Sequence, residues 1–134
     1  SKFGKGFIAD LGDMITSQRK GKQLFNLKNG DQLISVTDDV HSHIACISSN
    51  SKLLIFKTSD LPILKKGGGV QLQKMNQENY LSDIQTFEKS DGIFWIKGSK
   101  IINEKNINFW IGKRSQSGKK IPKKFNKNLK FNNA

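Results

Sequence analysis

A period of about 48 residues runs through this chain and limits its fold more than any single motif does. Small-residue-Lys pairs stand at Gly4-Lys5, Ser51-Lys52 and Ser99-Lys100, spaced by 47 and 48. Glycine-led segments follow at Gly21-Lys22-Gln23-Leu24, Gly69-Val70-Gln71-Leu72 and Gly118-Lys119-Lys120-Ile121, spaced by 48 and 49. Asp13-Met14 and Asp60-Leu61 stand 47 apart. Such periodicity means stacked copies of one supersecondary unit, because a single unit cannot bury its own apolar face.

Within each unit the pattern is β. Val70 and Leu72 alternate with Gln71 and Gln73, and Ile107, Phe109 and Ile111 alternate with Asn108 and Trp110. Leu53–Phe56 and Ile93–Ile96 are short apolar runs, as expected of strands buried on both faces. Asn29-Gly30 marks a hairpin between Gln23–Leu27 and Gln32–Val36. Asp91-Gly92 does the same between Tyr80–Phe87 and Ile93–Ile96. Helical periodicity is absent, with room for one turn at Leu61–Lys66. About four short strands per unit is the arithmetic of a propeller-like blade. The expected division is an incomplete blade at 1–40, a blade at 41–88, and a last blade with a basic tail at 89–134. Units two and three have a strand before their lysine landmark, at His43–Ile47 and Ile93–Lys97, whereas the first has only Ser1-Lys2-Phe3. The chain therefore reads as part of a longer array.

Charge sits unevenly on this frame. Lys and Arg number 23 against 11 Asp and Glu, a net of +12 that favours a polyanion as partner. Residues 113–134 hold 8 basic side chains and no acidic one. Almost all the cations are lysine, which also suits the coding bias of an AT-rich genome. One cysteine, Cys46, excludes a disulfide framework and fits a reducing cytosol. No run of 18 apolar residues and no apolar leader stands in the sequence, so neither a membrane span nor a signal peptide is expected.

The segment Phe7-Ile8-Ala9-Asp10-Leu11-Gly12-Asp13-Met14-Ile15, followed by Gln18-Arg19-Lys20-Gly21-Lys22, resembles a blade of the C-terminal domains of bacterial topoisomerase IV A subunits. So does Lys52-Leu53-Leu54-Ile55-Phe56-Lys57-Thr58-Ser59-Asp60-Leu61-Pro62, with its following Lys66-Gly67-Gly68-Gly69. The resemblance spans about residues 4–125 and weakens in the third unit. It implies an all-β fold: a propeller-like β-pinwheel fragment of about three four-stranded blades, with strands exchanged between neighbours and a basic rim on which DNA bends. It also implies a parent type IIA topoisomerase, ATP-dependent, working as a heterotetramer of two A subunits with two ATPase subunits in the cytoplasm, at the nucleoid. The related gyrase A domain carries a Gln-Arg-Arg-Gly-Gly-Lys-Gly box. Gln18-Arg19-Lys20-Gly21-Lys22 is a degenerate version, which favours the topoisomerase IV type over gyrase-type wrapping. Catalytic residues of the family lie in an N-terminal region; Tyr80, the one tyrosine, matches none of its motifs, so no catalytic residue and no cofactor are expected here.

Three basic turns are the candidate DNA contacts: Arg19, Lys20 and Lys22 around Gly21; Lys65 and Lys66 before Gly67–Gly69; and Lys113, Arg114, Lys119 and Lys120 around Gly118. Repeated blades place equivalent turns on one rim, where glycine admits backbone N–H groups to phosphates and lysine adds charge without base readout. The competing reading is ordinary solvated surface. Lys123 and Lys124 join the set from a tail that also bears Ile121, Phe125, Leu129 and Phe131. Its spacing predicts strands at Ile121–Phe125 and Leu129–Phe131 that close the last blade, against a disordered basic arm.

Other features read as structural. His41-Ser42-His43 has no further metal ligand at a suitable spacing and suits a strand start. Cys46 lies in an apolar run, as a buried thiol would. Trp95 and Trp110 suit core packing, with base stacking as the alternative. The triple glycine lacks the Gly-Lys-Ser/Thr ending of a phosphate-binding loop, and Asp10, Asp13, Asp38 and Asp39 suit turns and a helix start. Duplex-DNA binding is the expected function. A protein-interaction propeller is the second reading, and a stand-alone enzyme has no motif behind it. Too few blades to close a ring also implies an open strand edge, expected near the N-terminus, on which a second copy can pair.

Overall fold

The computed structural model describes residues 2–6, 41–61, 70–75 and 78–131. Among these residues the fold is all-β, and no helix is long and apolar enough to cross a membrane. The Asn29-Gly30 hairpin, its flanking strands and the Leu61–Lys66 turn lie wholly or largely outside the described residues.

The second unit supplies the centre. Strands β2 (His43–Ser48) and β3 (Lys52–Lys57) form an antiparallel hairpin, and β5 (Leu81–Phe87) lies on the other edge of β2. Both faces of this hairpin are apolar because both are covered. Ala45, Ile47, Leu53 and Ile55 face Phe87, Ile93, Trp95, Ile107, Phe125 and Phe131. Ile44, Cys46, Leu54 and Phe56 face Leu72 and Leu81, flanked by Leu61, Met75 and Ile84. Continuous apolar runs mark strands sandwiched between neighbours, as the run at Leu53–Phe56 predicts.

The third unit repeats the hairpin with β6 (Ile93–Lys97) and β7 (Lys100–Glu104). A left-handed turn residue precedes the second strand in all three units, at Gly4, Ser51 and Gly98. Only one face of the third hairpin is covered: Ile93 and Trp95 are buried, while Phe94 and Ile96 stand in solvent. The expectation of burial on both faces fails there because no further layer packs on the outer side among the described residues.

Strand exchange joins the units. β1 (Lys5–Gly6) pairs with β4 (Val70–Gln71), which comes from the next unit, through Lys5↔Gln71 and Gly6↔Val70. β3 pairs in the same sense with β8 (Lys119–Lys120), through Lys52↔Lys120 and Leu53↔Lys119. The sheet order β5-β2-β3-β8 is therefore a four-stranded blade whose last strand is donated by the following repeat. Gly118 makes this donation fit. Its φ is +85°, and a Cβ there would overlap the carbonyl oxygen of Leu53 on the accepting strand. Close approach of two backbones is what this glycine serves.

Three expectations change. Ile107–Ile111 is a 3-10 turn at Asn108–Trp110, followed by a single parallel bridge from Ile111 to Ile55. Its alternation reflects a turn with Ile107 in the core and Phe109 outside. A corresponding 3-10 turn, Thr58–Asp60, follows β3. Asp91-Gly92 does turn, with Gly92 at φ +70°, yet β5 and β6 do not pair as a hairpin. They belong to different sheets, and the Gln85 amide bridges them by accepting from the Phe94 N–H and donating to its carbonyl. Ile121–Phe125 forms turns and Leu129–Phe131 bends, so neither is a strand. The tail still closes the last unit: Phe125 and Phe131 enter the core, and the Phe131 carbonyl accepts from the Ile96 N–H at 2.7 Å.

Gly118→Ala is expected to cost at least about 2 kcal/mol, combining a left-handed backbone with a backbone overlap. Gly98→Ala, where nothing lies within 4 Å of the added Cβ, should cost only the backbone term, about 1 kcal/mol. Urea unfolding of both variants checks the difference, and equal losses would contradict the role given to the Leu53 contact.

Candidate nucleic-acid interface

The basic positions fall into three groups. Arg19, Lys20, Lys22, Lys65 and Lys66 lie outside the described residues, so the expected alignment of three turns is visible only at the third. Arg114 and Lys130 are half-buried and tied to the fold: the Arg114 guanidinium donates to the Gln71 carbonyl at 2.7 Å, and the Lys130 ammonium to the Ser82 carbonyl. Lys113, Lys119, Lys120, Lys123, Lys124 and Lys127 are exposed.

The exposed set is organised by the strands beneath it. Lys119 and Lys120 form β8, the open edge of the central sheet, and Lys52 lies opposite Lys120 across the ladder. The Lys119 ammonium sits 4.6 Å from the centre of the exposed Phe109 ring, a cation-π contact worth roughly 0.5–1 kcal/mol. Farther along, Lys97 and Lys100 face each other across the two-residue turn at Gly98-Ser99. The Lys97 ammonium donates to the Lys124 carbonyl at 3.2 Å, drawing the hairpin tip to the Lys123-Lys124 turn. Lys97 and Lys100 were not among the sequence candidates; two lysines bracketing a Gly-Ser turn are the signal that could have found them.

Both indoles anchor this surface from below. Trp95, fully buried, donates its Nε1–H to the Lys124 carbonyl at 3.2 Å, and half-buried Trp110 donates to the Lys120 carbonyl at 2.8 Å. Packing is therefore their role, as the sequence predicts. Among the described residues none of Lys97, Lys100, Lys119, Lys120, Lys123, Lys124 and Lys127 forms an ion pair with a carboxylate; the described pair joins His41 Nδ1 to Glu88 at 3.3 Å. Among the described residues, no carboxylate neutralises their charge.

The histidine pair divides. His41 is exposed on Glu88, while His43 is buried at the start of β2, 5.9 Å from the Phe87 ring, with Ser42 Oγ 2.9 Å from its Nδ1. Burial, aided by Lys89 and Lys57, lowers the His43 pKa against a smaller opposing pull from Glu88. Cys46 is fully buried, and burial pushes its thiol up to about 12. Tyr80 is exposed, with the Lys2 ammonium 5.4 Å from its ring centre.

Hairpins stacked through strands donated by the next repeat, with a lysine-lined open edge, define a strand-exchanged propeller-type repeat. The chain belongs to the family described as DNA gyrase C-terminal domain, beta-propeller, whose model matches residues 1–37 and 42–87. It is 38% identical over 131 residues to the A subunit of DNA topoisomerase 4 from Rickettsia bellii, an alignment covering 98% of this chain and 18% of that protein. Identity to the Rickettsia felis counterpart is 39%, with the same coverage, and to that of Caulobacter vibrioides 32%, over 98% of this chain and 17% of that protein. The chain thus spans less than a fifth of these relatives. Among solved structures, the E. coli ParC C-terminal domain matches with a TM-score of 0.61 at 19% identity, over 92% of this chain and 54% of that one. A C-terminal domain of DNA topoisomerase IV matches at 0.64 and 20% identity, over 87% and 38%. At such identities the likeness is one of fold.

Two outcomes follow for the buried groups. A base held neutral by the fold loses stability as pH falls, since the unfolded chain takes up the proton first. The stability difference between wild type and His43→Gln should therefore shrink as pH drops from about 7 to about 5, below the ordinary histidine pKa; thermal melts across that range check the sign. Cys46 should resist alkylation in the native protein and react at once in denaturant; labelling as fast as that of a free thiol would refute its burial.

Proposed function

We propose that this chain binds duplex DNA without sequence preference and bends it, as an accessory domain in the A-type polypeptide of a type IIA topoisomerase, assisting decatenation and relaxation. The observation that carries the reading is the gathering of exposed lysines without carboxylate partners on β8, the Lys123-Lys124 turn and the Lys97–Lys100 hairpin tip. Lysine ammonium groups at an edge grip phosphates as point charges and read no base. Membership of the gyrase C-terminal family and the names of the relatives support the same partner.

In this reading the repeats 1–40, 41–88 and 89–134 are successive blades of one domain, and the rim continues through Arg19, Lys20 and Lys22 and through Lys65 and Lys66. Lys113, Lys119, Lys120, Lys123 and Lys124 contact phosphates directly, and Arg114 holds the turn that presents Lys113. The domain needs no cofactor, and its parent works with an ATPase subunit.

Binding should weaken with salt, log affinity falling against log salt by about 0.9 for each phosphate neutralised. Replacing Lys119, Lys120, Lys123 and Lys124 together by Ala should reduce that slope by roughly one unit per lysine and weaken all duplex sequences alike. Fluorescence anisotropy on two unrelated duplexes tests this. A salt-insensitive interaction, or loss confined to one sequence, would overturn it.

A further inference from the structure

The β6-β7 hairpin leaves its outer edge different from those of β1 and β3. The outer edge of β1 holds β4, and the outer edge of β3 holds β8, each from the lysine that opens the accepting strand. β7 opens on the equivalent lysine, Lys100, and among the described residues no strand lies on its outer edge. Its outward face is apolar too. Ile47 and Leu53 form the second cross-strand pair of their hairpin and are fully buried; the matching pair, Ile96 and Ile101, is 38% and 74% exposed, beside Phe94 at 45%. Natural edges protect themselves with lysine, proline, bulges or brevity. β8 is two lysines long, whereas β7 runs five residues in unbroken register with no such device between its ends.

β7 reads Lys100-Ile101-Ile102-Asn103-Glu104. Laid antiparallel on itself about a two-fold axis through Ile102, it sets Lys100 opposite Glu104 of the second copy at both ends, and Ile101 opposite Asn103. Directly opposed residues of an antiparallel ladder point to the same face, so each lysine meets a carboxylate. A strand with the opposite charge order would pair as well, but one with like charges at its ends would not be self-complementary in this way.

We propose that two copies of this chain pair through β7, in a two-fold antiparallel ladder that continues each β6-β7 hairpin into a four-stranded sheet. Such a contact is isologous and closes at the dimer. Its small area makes it a weak association that depends on concentration. It places an open edge at the third unit, and it does not depend on DNA.

Sedimentation velocity of the 134-residue chain over a concentration series tests the pairing. A monomer–dimer equilibrium is expected. Lys100→Glu, which opposes two carboxylates at each end, should weaken it about 30-fold. Adding Glu104→Lys to that variant should restore it, because the swapped charges pair again. Ile101→Lys, at an already exposed position, should abolish it, and near-ultraviolet circular dichroism of the buried Trp95 verifies folding. If Lys100→Glu fails to fold, Ile101→Lys carries the test alone. A chain that stays monomeric, a dimer indifferent to Lys100→Glu or Ile101→Lys, a double variant that does not recover, or growth beyond the dimer would each overturn the proposal. The last would mean that the edge accepts a strand donated head to tail.

Discussion

Everything in this fold hangs on the backbone ladder between one repeat and the strand lent by the next. Apart from the single bridge at Ile55, β3 would be an exposed edge without β8, and β1 would be one without β4. Each ladder is only two residue pairs long, so its hydrogen bonds are few. Their leverage comes from what they position. β8 lies between the Asn108–Trp110 turn and the segment carrying Phe125 and Phe131, and its pairing with β3 seats those side chains against Ala45, Ile47, Leu53 and Ile55. The apolar contact stabilises, and the ladder sets its register.

The same arrangement explains why the cations gather where they do. A donated strand is the outer strand of its blade, so among the described residues its outward backbone groups have no strand partner, and side chains such as Trp110 and Arg114 take its carbonyls instead. Lysine at such a place keeps other chains from pairing there and leaves charge standing on the rim. Protection of an edge and, in the function proposed above, attraction for a polyanion are thus assigned to one pair of residues, Lys119 and Lys120. Arg114, a few positions earlier, is tied to the Gln71 carbonyl and holds the turn in place.

How legible is this from residues alone? The period, the strands at His43–Ile47 and Leu53–Phe56, and the burial of Cys46 and Trp95 follow from spacing and apolar runs; that the two strands pair as a hairpin comes from the structure. Exchange partners do not, because Val70-Gln71 and Lys119-Lys120 are too short to carry a pattern of their own; the family resemblance supplies that expectation. Ile107–Ile111 misleads because a 3-10 turn can also hide one apolar side chain and expose the next. Asp91-Gly92 announces its turn but not the consequence, since local turn chemistry cannot tell whether flanking strands pair with each other or with distant ones. At the rim, sequence position singles out Lys119, Lys120, Lys123 and Lys124. Lys97 and Lys100 join them only through the register of β6 on β7 and a contact to the Lys124 carbonyl.

Trp95 and Trp110 add a quieter property. Each indole reaches the rim through a main-chain oxygen, that of Lys124 or Lys120, and never through the lysine side chain. The core therefore recognises that a peptide group is present at these two places and is blind to which residue carries it. Charge on the rim can drift over evolutionary time, rising or falling one position at a time, while the hydrogen bonds that fasten the loops to the core stay the same. A surface built in this way can change its charge without renegotiating its own fold.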